Sequence, residues 1–262
     1  MPTDANPISA FPLLLQVERF YAGFVSFASP GGEPSLGGML FHAGELDADG
    51  RALTIAGNIA GVATLAATAD PDAQKQAVRH GVIDFLVTSL DEALRILKNE
   101  IRKRDSVSVY VAGEPDGVQL EMLERGVLPD LVRPADPGRA HSPFLAQGAR
   151  PIPRPTLNEL QAIVTWQVGA APAQWLPKLD ALAQQCLAAD AWEARRWLRL
   201  APRYMGRLAK GLRPLVCDRD ASADFIERVR RSVEAGEVPV PVEIQVLRGS
   251  THDVHHLVPP SR

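Results

Sequence analysis

The chain reads as an α/β protein, with a doubly wound parallel sheet followed by a mainly helical C-terminal region. Three observations predict this. Short buried apolar runs alternate with helical patterns through the first half. Strands separated by helices build repeated βαβ units, and those units give a parallel sheet with helices on both faces. Pro151, Pro153 and Pro155 then interrupt the pattern, and so dense a proline run is extended. Beyond it the composition shifts, with all four tryptophans (Trp166, Trp175, Trp192 and Trp197) set among helical patterns.

The elements follow in order. Residues 1–12 are read as a flexible N-terminus and 13–148 as the α/β domain. Gly38–Ala43 is a short apolar strand ending at Gly44. Leu53–Ala60 reads as a helix, and Val62–Ala67 as a buried strand stopped by Asp70-Pro71. Asp72–Arg79 is a polar helix ended by His80-Gly81, and Val82–Val87 a second buried strand. Ser89 and Glu92 have capping-box spacing. The helix behind them repeats Leu90, Ala93, Leu94, Leu97 and Ile101 at helical intervals. Ser106–Ala112 is a strand, Val118–Arg125 a helix closed by Gly126, and Pro129–Val132 a last short strand.

Residues 149–155 are the expected linker, and 156–262 the mainly helical region. Thr156 and Glu159 again have capping-box spacing and predict a helix. Further helices are expected at Trp175–Ala188, at Ala191–Gly211 with a break at Pro202, and at Ser222–Ala235. An alternating strand is expected over Val238–Val246.

Composition excludes several classes. Lys plus Arg number 28 against 31 Asp plus Glu, a net charge of −3. That gives no global basic field for nucleic acid or an anionic membrane. Two cysteines, Cys186 and Cys217, cannot form a disulfide framework or a four-cysteine zinc site. Ala52–Ala69 carries no charge and approaches the length of a membrane span. Its Ala, Gly, Thr and Asn content suits a buried helix and strand better. MPTDANPISA has neither a basic nor an apolar leader region, so the expected location is cytoplasmic.

Ligands of such sheets sit beyond the carboxyl ends of the strands. The candidate loops are therefore Gly44–Gly50, Thr68–Asp72, Gly113–Asp116 and Arg133–His141.

Several stretches, in series, carry a resemblance: QVERFYAGF, LGGMLFHAG, AGNIAGVATLAATADP, VRHGVIDFLVTSLDEAL and SVSVYVAGEPDGVQLEMLERGVLPDLV. Together they resemble the NAD-binding domain of urocanase (urocanate hydratase), over roughly Leu13–Pro143. The resemblance implies a Rossmann-like domain and NAD as cofactor. In that family NAD⁺ is an electrophile that bonds to the urocanate imidazole, and a separate core domain supplies other catalytic residues. The positions matching the cofactor site are Gly44, Gly50, Thr68, Gly113, Glu114 and His141. Thr68, Glu114 and the residues between Gly44 and Gly50 depart from the family pattern. Its glycine-rich loop continues Leu-Gly-Gly-Met-Gly-Gly, whereas Glu45, Leu46, Asp47, Ala48, Asp49 and Gly50 stand here. Glycines let backbone amides approach a pyrophosphate, and carboxylates repel it. Thr68 stands where the family has a ribose-binding glutamate, Ala73 replaces an arginine, and Gly113-Glu114 replaces Gly-Asn. In the loop from Pro134, only His141 matches. The cysteine signature of the core domain has no counterpart, nor is there a G-x-G-x-x-G.

Outside the resemblance, His252, His255 and His256 of HDVHH could hold a transition metal, or belong to an exposed tail. Arg196, Arg199, Arg203, Arg207 and Lys210 recur at helical steps. They form either a solvated face or a phosphate- or RNA-binding stripe. Catalytic residues are not assigned. The leading expectation is a urocanase-like protein with a degraded NAD site that acts as a binding, regulatory or scaffold subunit. A homo-oligomer or protein partner is expected, without membrane or nucleic acid. The alternatives are an enzyme that binds NAD or another nucleotide or small molecule at the same strand ends, hydro-lyase-like, and a phosphate- or RNA-binding module built on the basic helix.

Overall fold

The computed structural model describes residues 7–28, 36–134, 142–206, 211–249 and 251–260. The chain divides into two compact units. One takes Arg19–Pro155, and the other takes the chain up to Glu18 and from Thr156 onward. Helix α1 (Pro7–Val25) begins inside the stretch that sequence reads as flexible.

In the unit Arg19–Pro155, strands β1 (Leu40–Glu45), β2 (Ala63–Thr68), β3 (Phe85–Val87), β4 (Val107–Ala112), β5 (Leu131–Val132) and β6 (Arg150–Pro151) form one sheet. All pair in parallel, in the order β3-β4-β2-β1-β5-β6. The connecting helices are α2 (Ala48–Ala60), α3 (Pro71–His80), α4 (Leu90–Lys103) and α5 (Pro115–Glu124). Alternation along the strands sorts them onto two faces. Leu65, Val109 and Val111 join Leu94, Leu97 and Met122 in the core under α4 and α5. Thr64, Ser108 and Tyr110 face α2 instead. There Asn58 Nδ2 donates to Ser108 Oγ at 3.3 Å, and Tyr110 bonds Thr54. This is the doubly wound, Rossmann-like arrangement expected of the sequence.

Local chemistry explains the boundaries. Asp70 Oδ1 accepts from Asp72 N at 2.8 Å, and Pro71 opens α3 just behind that cap. Gly61 closes α2 with φ +99°, a conformation that favours glycine. Gly57 lets α2 approach β2, because a Cβ there would stand 2.9 Å from Val62 and 3.2 Å from Thr64 Oγ1. The Ser89 cap forms, with Ser89 Oγ accepting from Glu92 N at 3.3 Å. The return bond goes to Thr88 N rather than to Ser89, at 3.0 Å.

Several elements differ from expectation. The strand expected over Val82–Val87 shortens to β3, an edge strand, so Phe85 is 46% exposed and Leu86 41%. The expected linker contributes β6 to the opposite edge, where Pro151 costs no ladder bond with a further strand. The helix expected at Thr156 is absent. Gln161–Val168 is strand β7, fully buried from Ala162 to Trp166. A run of Ile163, Val164, Thr165 and Trp166 suits a pleated surface, and Thr156 and Glu159 sit in the exposed approach to it.

The second unit continues with α6 (Pro172–Cys186), α7 (Trp192–Tyr204), β8 (Leu212–Asp218), α8 (Arg219–Glu234), β9 (Val242–Arg248) and β10 (Thr251–Leu257). Helices take the larger share, but they are organised on an antiparallel sheet ordered β10-β9-β7-β8. Its core includes Trp166 against Phe225, with ring centroids 4.9 Å apart. Helix α7 carries Pro202 and ends at Tyr204, short of the expected Gly211. Among the described residues no helix is long and apolar enough to cross a membrane.

Candidate functional site at the β1/β5 strand ends

In the parallel sheet the chain moves from β1 to β2 on one side, and later places β5 on the other side of β1. The crevice between the carboxyl ends of β1 and β5 is thus the topological switch point, where ligands of such folds bind. The start of α2 points its amides there, an anion-binding feature.

Side chains of the domain itself fill this place. A bulge shifts the β1 register between His42 and Gly44, and Gly44 takes φ +67°. The bulge turns the Ala43 carbonyl toward Arg133, which follows β5. Arg133 Nη1 donates to Ala43 O at 3.2 Å and to Glu45 O at 3.0 Å. Arg133 Nη2 donates to both carboxylate oxygens of Asp47, at 3.0 and 3.2 Å. Asp47 is also the N-cap of α2, accepting from Gly50 N at 2.7 Å. One carboxylate therefore neutralises the helix N-terminus and the guanidinium together. Asp49, in the first turn of α2, pairs with Arg154 at 3.4 Å. Gly50 has no room for a side chain, because a Cβ would lie 2.0 Å from Glu45 O.

Beneath this clasp the side chains are buried. His42 is 5% exposed and stacks edge-on to Phe144 with centroids 5.2 Å apart. Burial, and secondly the Arg133 charge, push its pKa down to about 4, so the imidazole is neutral. Thr54 Oγ1 donates to Gly50 O at 2.7 Å, so the Tyr110 hydroxyl must be the donor in its bond to Thr54. Burial holds the Tyr110 phenol well above its ordinary range.

The other sequence-derived positions are dispersed. Thr68 ends β2, is buried, and its Oγ1 accepts from Asp70 N at 3.2 Å. Its carbonyl accepts from Gly113 N at 3.2 Å and from Gln74 Nε2 at 2.8 Å. Gly113 and Glu114 thus flank the end of β4. Glu114 is the N-cap residue of α5 but makes no side-chain cap bond. Gly44 and Gly50 do lie at the switch point, as backbone rather than as a glycine cradle. His141 lies outside the described residues, as do Arg207 and Lys210. The acidic run read as a repelling loop is mostly helix start, with Asp47 and Asp49 each paired to an arginine. Sequence reasoning missed Arg133 as a site residue. Its signal was a lone arginine directly after the strand that flanks β1.

The histidines of β10 are not gathered. Strand alternation places His252 and His256 on one face and His255 on the other. Among the described residues no group of three or more His, Cys, Asp or Glu side chains could hold a metal ion. In the basic helix, Arg195 donates to Leu187 O at 2.6 Å and to Ala188 O at 2.9 Å, and Arg196 is 9% exposed. Part of the basic run is therefore structural.

The strand order and the helix start at the switch point are those of a Rossmann-like sheet. A family model described as the urocanase Rossmann-like domain matches residues 19–155. That covers more than half of the chain and coincides with the unit that holds the parallel sheet, so the chain belongs to the urocanase family.

Proposed function

We propose that this protein is a urocanase relative without hydratase chemistry, whose dinucleotide position has been taken over by its own side chains, and that it serves as a binding, regulatory or scaffold component. The carrying observation is the Arg133–Asp47 clasp across the β1/β5 crevice. A pyrophosphate in this fold uses the first amides of the helix after β1 and a backbone cleared by glycine. Here Gly50 N is committed to Asp47, and Arg133 is matched by the same carboxylate. An incoming dianion would have to displace Asp47 and then lie beside it. The residues present do not fit NAD at that place.

The ribose side agrees. Thr68 uses its hydroxyl within its own turn, where a carboxylate would suit a ribose diol. The neutral, buried His42 has no imidazolium proton to give at physiological pH and little exposure through which to give one. This reading places the protein in the cytoplasm, with protein contacts as its output. Isothermal titration with NAD⁺ tests it. Absence of heat up to millimolar NAD⁺, with no loss of urocanate absorbance over long incubation, is the expected result. Micromolar binding or any turnover overturns it.

A further inference from the structure

The antiparallel sheet treats its two edges differently. At the β8 edge, Pro214 has no N–H to offer, and its carbonyl accepts from Trp197 Nε1 at 2.6 Å. Helix α7, which carries Trp197, packs along β8. At the other edge β10 runs seven residues in unbroken register with β9, from Thr251 opposite Arg248 to Leu257 opposite Val242. It contains no proline, glycine or lysine, and Thr251, His252, Asp253, Val254 and His256 are exposed. Such an edge is a template for another strand.

The ladder shows which groups face outward. Gly169 N donates to Pro241 O at 2.9 Å. Counting on from that bonded pair, Glu243, Gln245 and Leu247 turn their backbone groups to β7. Val242, Ile244, Val246 and Arg248 then turn theirs to β10, toward Leu257, His255, Asp253 and Thr251. The N–H and C=O groups left for the open edge belong to His252, Val254 and His256.

That set is symmetric about Val254. Antiparallel pairing of two such edges on a two-fold axis at Val254 places Val254 opposite its counterpart and His252 opposite His256. Every outward N–H meets an outward C=O. Between those bonded pairs Asp253 comes opposite His255 twice, in the positions where side chains approach nearest. A carboxylate facing an imidazole N–H is complementary; Asp253 Oδ2 lies 3.6 Å from Arg248 Nη1 of its own chain, which leaves the other oxygen for the imidazole. The neighbouring registers that keep the same backbone parity are worse. One sets Asp253 opposite Asp253, and the other sets Asp253 opposite Leu257. On the far face, Gln245 Oε1 lies 3.2 Å from His252 Nε2, and Glu243 Oε2 lies 3.6 Å from His256 Nδ1. Both imidazoles are thereby oriented within their own chain.

We propose that β10 is a self-recognition strand: a second copy of this chain docks antiparallel along it, with the two-fold axis at Val254 and Asp253 paired to His255 across the contact. Sedimentation velocity of the full chain tests this, beside Val254→Pro, Asp253→Arg and the double variant Asp253→Arg/His255→Asp. The wild type is expected to be a dimer. Val254→Pro removes an outward donor without touching a bond to β9, so the dimer should be lost while the circular dichroism is kept. Asp253→Arg should also lose it, and the double variant should regain it with the charges exchanged. A wild type that stays monomeric at high micromolar concentration overturns the proposal, as does a dimer that survives Val254→Pro. A monomer that instead captures a strand of a different protein also overturns it. Should Val254→Pro unfold, the loss and recovery across the two charge variants decides.

Discussion

Arg133 holds Asp47 with both carboxylate oxygens, at 3.0 and 3.2 Å, while the same carboxylate caps α2 through Gly50 N at 2.7 Å. A bidentate guanidinium–carboxylate pair is a strong, directional contact, and this one is mostly buried, with side-chain exposures of 17% and 27%. Arg133→Ala leaves Asp47 and two carbonyls without that donor. It should destabilise the protein by about 1–3 kcal/mol, read as a lower urea midpoint with unchanged slope. Asp47→Gly should act differently. It empties the helix N-terminus and leaves Arg133 facing it. Inorganic pyrophosphate is then expected to raise the melting temperature of the variant but not of the wild type.

Gly50→Ala addresses the same turn from the backbone side. The added methyl would stand 2.0 Å from Glu45 O, and a backbone carbonyl cannot rotate away as a side chain can. Overpacking of this kind costs about 1–3 kcal/mol or more. Gly81→Ala makes the control. Nothing lies within 4 Å of a Cβ there, so the cost comes only from φ +69° and should be near 1 kcal/mol. Thermal unfolding of the pair checks the order.

The His42 pKa lies at about 4 in the folded chain against an ordinary 6.5, lowered chiefly by burial. Between those values the unfolded chain binds the extra proton, so stability falls as pH drops through 6.5 and levels off below about 4. From pH 7 to 5.5 the loss from this group should be about 1 kcal/mol. His42→Leu should flatten that part of the urea-stability profile.

Both thiols are held in the protonated form, Cys217 buried and Cys186 half-buried. Burial and the neighbouring Asp218 push Cys217 up to about 12, while burial and Asp224 push Cys186 up to about 11. Thiolate is the reactive form. Native protein at pH 7.5 should therefore react slowly with a disulfide reagent, and unfolded protein should release two equivalents at once.

The parallel sheet was legible because its punctuation is local. Asp70-Pro71, Ser89 and Gly81 mark helix ends by their own chemistry. Strand pairing order is non-local, so the crevice between β1 and β5 could be named only as a set of loops. Arg133 and Asp47 are 86 residues apart, and nothing in either neighbourhood signals the other. The resemblance pointed to this end of the sheet, and the substitutions there are what the proposed loss of the cofactor site rests on. They could not show that Asp47 caps α2 and pairs with Arg133 at once. In the second unit, local signals misled. Thr156 and Glu159 have capping-box spacing, yet Ile163 to Trp166 pair with two strands drawn from much later in the chain. The three histidines of β10 are close in sequence, but a period of two separates them.

The contrast between Pro214 and Val254 sets an upper bound on growth. Among the described residues, a sheet whose β8 edge carries Pro214 beneath α7 and whose β10 edge is exposed offers each molecule one long open edge in this unit. Once two molecules have engaged, that edge is consumed on both. Joining through this sheet therefore closes on itself instead of propagating, and concentrated protein should show no fibrous species grown from this unit, because an isologous contact terminates where a head-to-tail one would extend.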